Sequence, residues 1–134
     1  MDDLAPRIDA SSDLARGLVR FSAGGLFDED ELQAGAAKIG AAAAPFVSAK
    51  RPWSVLADYT DAIVQPRHLT DTISESFEMA RKMGLQRVAV LNAPALVQMQ
   101  YKRLVGTVEI GFFESKIDAM AWLDDEQDAA SASA

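Results

Sequence analysis

Apolar positions along this chain fall into two alternating rhythms: short, nearly continuous runs and longer stretches spaced at helical intervals. The first run is Leu14 to Ser22, where Val19 and Phe21 flank Arg20. Arg7 to Ala10 reads as a shorter partner strand, with Ser11-Ser12-Asp13 as the turn between them. Ala23-Gly24-Gly25 breaks the strand. Asp28 stands three residues before Glu31, the spacing of a capping box, and Leu32, Ala36, Ile39, Ala43 and Phe46 then mark a helix ending near Pro45. That helix is largely alanine, which predicts close packing on a sheet. Ser48 to Pro52 reads as a loop. Trp53 to Asp58 is a strand apolar nearly throughout, as expected where both faces of a sheet are covered.

Pro66 suits the first turn of a second helix, whose face carries Leu69, Ile73, Phe77, Ala80 and Met83 and which Gly84 stops. Gln86 to Leu91 is a third long apolar strand. Asn92 is placed to cap a helix holding Val97, Tyr101 and Leu104, ended by Gly106. The last strand is buried and stops at Glu114, and Ser115 caps a closing helix whose Ile117, Met120 and Ala121 are expected to seal the core. The pattern predicts one α/β domain over residues 1–127 and a disordered tail over 128–134. Strands alternating with helices predict a mostly parallel sheet of four to five strands, an antiparallel edge hairpin and about four helices.

Composition narrows the chemistry. The 134 residues carry a net charge of −7, which disfavours nucleic acid and anionic membrane surfaces as partners. There is no cysteine and a single histidine, so neither a thiolate nor an imidazole metal site is expected. The first residues, Met1 to Pro6, have neither the charge nor the apolar run of a signal peptide, and no stretch reaches the length of a membrane span. A cytoplasmic protein without stable membrane insertion is the resulting expectation.

The local wording adds a family likeness. Leu18 to Gly24, Val55 to Thr60 with Val64-Gln65-Pro66, Arg87 to Val90, and Phe112-Phe113-Glu114 with Ala119 to Leu123 together resemble the SpoIIAA-like branch of STAS-like domains. The fold of that branch is also compared with lipid-exchange CRAL-TRIO domains. The resemblance implies an α/β fold, a bacterial setting and no defined activity. STAS domains that antagonise anti-sigma factors carry a phosphorylatable serine at the start of the helix after the central strand. The matching stretch here is Val64-Gln65-Pro66-Arg67-His68, without a hydroxyl, and Thr70 lies further into the helix.

In a parallel sheet, ligands gather outside the carboxyl ends of the strands, where helix N-termini point. The residues delivered there are Asp58, Tyr59, Thr60, Asp61, Asn92, Glu114 and Ser115, joined by His68 in the first turn of its helix. Asp58 could act as a base or orient a ligand; equally, it could bond loop amides while Asn92 and Ser115 merely cap helices. Walker, dinucleotide and serine-hydrolase spacings are absent, so no catalytic residue, metal or cofactor is assigned. Asp28, Asp30 and Glu31 read as helix N-terminal charge rather than a cation loop.

Lys50, Arg51, Arg81, Lys82, Arg87, Lys102 and Arg103 fall at helix C-termini or strand starts. They complement helix dipoles or form a docking surface for an acidic partner. A soft apolar set, Met79, Met83, Met99 and Met120 with Phe46, Phe77, Phe112, Phe113, Tyr101 and Trp122, can pack as plain core or adapt to an apolar ligand. The leading expectation is a non-enzymatic regulatory or protein-interaction module, with a protein partner or homodimerisation. The alternative is a module binding a lipid or small apolar molecule, with a cavity sought between the helix starting at Pro66 and the closing helix.

Overall fold

The structure, a computed structural model, describes residues 5–133, with side chains through Asp124. Residues 1–4, read above for leader character, and Ala134 lie outside the described residues. The strands are β1 (Arg7–Asp13), β2 (Leu18–Gly24), β3 (Trp53–Asp58), β4 (Leu85–Leu91) and β5 (Glu109–Phe113). The helices are α1 (Glu29–Ser48), α2 (Thr70–Lys82, entered through a 3-10 turn at Arg67–Leu69), α3 (Ala95–Leu104) and α4 (Lys116–Ser133).

The sheet order is β1-β2-β3-β4-β5, with β1 antiparallel to β2 and every later pair parallel. Each crossover therefore steps one strand in the same direction. Crossovers of constant hand then place α1, α2 and α3 on one face. Alternation along the strands divides the core accordingly. Val19, Val55, Ala57, Val88 and Val90 pack under α1 to α3, whereas Leu18, Leu56, Ala89 and Leu91 pack against Ala119 and Leu123 of α4.

The hairpin turn differs from expectation. β1 continues through Ser11-Ser12-Asp13, and the chain reverses over Leu14 to Gly17 instead. Gly17 takes the left-handed conformation (φ 64°), and the Asp13 carboxylate accepts from the Arg16 amide. From across the fold, Arg51 donates to the carbonyls of Leu14 and Ala15, so a distant side chain fixes this turn.

The capping box at Asp28 and Glu31 forms, and α1 runs past Pro45 to Ser48. It closes with Lys50 in the left-handed region, the Lys50 amide on Val47 O and the Arg51 amide on Phe46 O, a Schellman arrangement. Asn92 does not cap α3. It adopts φ 58°, and the residue at the N-cap is Pro94, with no side-chain bond.

Ser115 does cap α4, its Oγ accepting from the Asp118 amide at 3.4 Å. The buried stripe of α4 is Ala119 and Leu123, flanked by Met120 and Trp122. Ile117 is 80% exposed and Ala121 is also on the outside, because the helix phase is set by Leu123 seating on Leu56 and Leu91. The helix runs to Ser133 through an alanine- and serine-rich sequence that contains no helix breaker. β5 is an edge strand, and its residues are half-buried or exposed rather than fully enclosed.

Candidate functional site

The carboxyl edge of the sheet gathers some of the expected residues. Asp58 Oδ1 accepts from the Thr60 amide at 3.0 Å and the Thr60 hydroxyl at 2.6 Å, and Asn92 Nδ2 reaches Thr60 Oγ1 at 3.5 Å. The Asn92 amide bonds Phe113 O at 2.9 Å, which brings Glu114 and Ser115 to the same edge. These groups are exposed or half-buried, and Asp58, Thr60 and Asn92 bond to one another. Ordered loops account for them. Tyr59 parts from its neighbours: its side chain turns beneath α1 to α3, while Asp58 lies on the α4 face. His68 sits exposed on the 3-10 turn, and Thr70 donates its hydroxyl to Arg67 O.

Gln65, in the stretch matched to the phosphorylation site of STAS domains, is buried. It accepts from the Phe27 amide and donates to Gly25 O and Ile63 O, while its backbone pairs with the side chain of Gln100. One amide thereby ties the loops after β2 and β3 to α3. It is a fully satisfied buried polar group.

A deeper concavity lies elsewhere, between α1 and α2 over the middle of the sheet. It encloses about 450 Å³, a size typical of small-molecule sites. Phe21, Val55, Ala57 and Tyr59 form its floor; Ala36, Ile39, Gly40 and Ala43 line the α1 side, and Phe77, Met79 and Met83 the α2 side. Its origin is local. Gly35 lets α1 press onto β1 so closely that a Cβ there would stand 2.0 Å from Ile8 Cδ1. The alanine-rich flank that then faces α2 is too short to fill the gap, and a Cβ at Gly40 would touch nothing within 4 Å. Near their N-termini the two helices are joined by the Thr72 hydroxyl donating to Glu29 at 3.0 Å.

Tyr59 and Tyr101 meet at the floor with ring centroids 5.1 Å apart. Burial, and then the neighbouring Tyr101, hold the Tyr59 phenol well above the ordinary tyrosine value; burial also raises Tyr101. The expected cavity between α2 and α4 does not form, because those helices lie on opposite faces of the sheet. The methionine–aromatic set divides likewise: Phe77, Tyr101, Met79 and Met83 line the cleft, Phe113, Met120 and Trp122 pack under α4, and Met99 is exposed.

Several of the basic residues are committed within the fold. Arg87, only 7% exposed, donates to Glu109 at 2.8 Å and to Trp122 O, with its guanidinium 4.1 Å from the Trp122 ring. The β-bulge opposite Ser54 turns it toward α4. Arg81 pairs with Glu78, and Lys102 lies over Phe112. On the α4 side, Asp9, Arg20, Asp58 and Lys116, together with Leu56 and Leu91, line a shallow depression where α4 leaves β1 and β2 uncovered. Among the described residues no group of histidine, aspartate and glutamate is placed to hold a metal ion, and no helix is long and apolar enough to cross a membrane.

The architecture defines the class: a five-stranded mixed sheet with three helices on one face and one on the other. A solved structure of an uncharacterized DUF3478-family protein from Shewanella loihica PV-4, described as having a SpoIIAA-like fold, superposes with a TM-score of 0.64. The two are 18% identical, and the match covers 89% of this chain and 95% of that one. This chain has the SpoIIAA-like fold, as the sequence likeness implied. No family model matches the sequence. No curated protein matches it either.

Proposed function

We propose that this protein is a non-enzymatic module that binds a small apolar molecule in the cleft between α1 and α2. The cleft itself carries the reading: a space of about 450 Å³ with a predominantly apolar lining, bordered on one side by Met79 and Met83, which are 55% and 48% exposed. Flexible thioether side chains at a cleft mouth adapt to differently shaped apolar ligands. Asp58, Thr60 and Asn92 at the sheet edge, by contrast, bond to one another. Titration with the neutral dye Nile red should show saturable binding with a blue-shifted emission, and Gly40→Leu should weaken it. Absence of saturable binding would sink the proposal.

A second reading, a protein-docking or self-association face, is favoured by Leu96 and Met99, 67% and 54% exposed and one turn apart on α3. Sedimentation across concentration, with Leu96→Glu as the control, should reveal a dimer that the variant abolishes. A wild-type monomer throughout would remove the homodimer version of this reading.

A further inference from the structure

We infer that the α1–α2 cleft selects uncharged apolar molecules, chain alcohols or ring compounds with a single hydroxyl or carbonyl, and rejects fatty acids and other anionic amphiphiles. The inference rests on the proposal that the cleft is a ligand site, and it concerns what that site accepts. Its basis is the charge of the wall. Among the described residues no lysine, arginine or histidine lines the cleft, and the one carboxylate on its wall is Glu75 on the exposed side of α2. Glu29, bonded to Thr72 near the N-terminal ends of the helices, adds a second negative charge there. The two cations of α2, Arg81 and Lys82, are not among the lining residues, and Arg81 is held by Glu78.

A carboxylate or phosphate entering such a site would lose hydration without gaining a counter-ion, and Glu75 would repel it. The overall charge of −7 acts in the same direction during encounter. A neutral hydroxyl or carbonyl has a partner available. Tyr59 and Tyr101 form the polar part of the floor, and a phenol pair that uses one O–H internally retains the other as a donor. The remaining polar side chains are already engaged in part: Ser76 donates to Thr72 O, and Thr72 to Glu29.

The test is displacement of Nile red from the full-length protein by a matched pair, decanol and decanoate, at neutral pH. Decanol should displace the dye at concentrations at least about tenfold lower than decanoate, since only the latter must carry an unpaired charge to the site. Glu75→Lys should narrow that gap by improving decanoate, with the dye still bound. Decanoate displacing as well as decanol, or neither displacing a bound dye, would overturn the inference while leaving the cleft a ligand site. Loss of dye binding altogether would instead remove the reading on which the inference depends.

Discussion

Replacing Gly40 tests the cleft without touching a hydrogen bond. Gly40 lies within α1, and a Cβ added there meets no atom within 4 Å. Helix propensity favours alanine over glycine by about 0.8–1 kcal/mol in a helix interior, so Gly40→Ala should stabilise by about that amount. For a domain of this size the gain is a rise of ~3–4 °C in Tm. Leucine retains most of the propensity and extends toward Ala36, Ala43 and Met79 across the opening. Half-burial of its side chain adds about 1 kcal/mol, giving a total of about 1.5–2 kcal/mol.

The same side chain occupies ligand space, and dye affinity should fall about tenfold, equivalent to ~1.4 kcal/mol. Urea unfolding followed by tryptophan fluorescence measures the first quantity, and Nile red titration the second. Trp53, which lines the cleft, and Trp122, under α4, report on opposite faces of the sheet. A Gly40→Leu protein destabilised by more than about 1 kcal/mol would show that the space beside Gly40 is filled in solution, and the argument for the cleft would fail. A stabilised variant with unchanged dye binding would place the dye elsewhere.

Gly35 predicts the opposite sign. A Cβ there stands 2.0 Å from Ile8 Cδ1, so Gly35→Ala should destabilise by about 1–2 kcal/mol despite its better helix propensity. Ile8→Ala in the same chain should recover about 1 kcal/mol as coupling in a double-mutant cycle read by urea unfolding. Tyr59 should give the protein an alkaline limb. Its folded pKa is raised, so the contribution is fully present below the unfolded value of about 10 and is lost as pH rises from there through the folded value. Chemical denaturation across that window should show stability falling with pH, and Tyr59→Phe should flatten the fall; an equal slope in the variant would contradict the burial argument. Arg87→Lys should cost about 1–2 kcal/mol by denaturant unfolding, because an ammonium cannot bond Glu109 and Trp122 O while stacking on the indole. A lysine variant as stable as the wild type would show that the guanidinium is not fixed by these contacts.

Much of the fold was legible because its signals are local. The Asp28–Glu31 box, the apolar run Trp53–Asp58, the glycine after Met83 and the Ser115 cap each involve residues a few positions apart, and each holds in the structure. Errors came where a distant group decides. The hairpin turn moved to Leu14–Gly17, where Arg51 binds its carbonyls, and α4 rotated so that Ala119 and Leu123 face inward onto Leu56 and Leu91. Tyr59 was grouped with Asp58 and Thr60 by adjacency, although successive strand residues point to opposite faces.

The sequence by itself determined the order of strands and helices, the caps and the apolar faces, since periodicity and backbone chemistry act over one or two turns. It also removed thiolate chemistry, by containing no cysteine. Only the tertiary structure decided that α2 and α4 lie on opposite sides of the sheet, and that α1 and α2 leave a cleft between them. The reason is geometric. The cleft depends on how near α1 sits to β1, which the contact between Gly35 and Ile8 sets, and on short side chains at Ala36, Gly40 and Ala43 facing the separate helix α2. The alanines of α1 promised close packing when read along the chain. In three dimensions the same alanines are too short to close the space beside them.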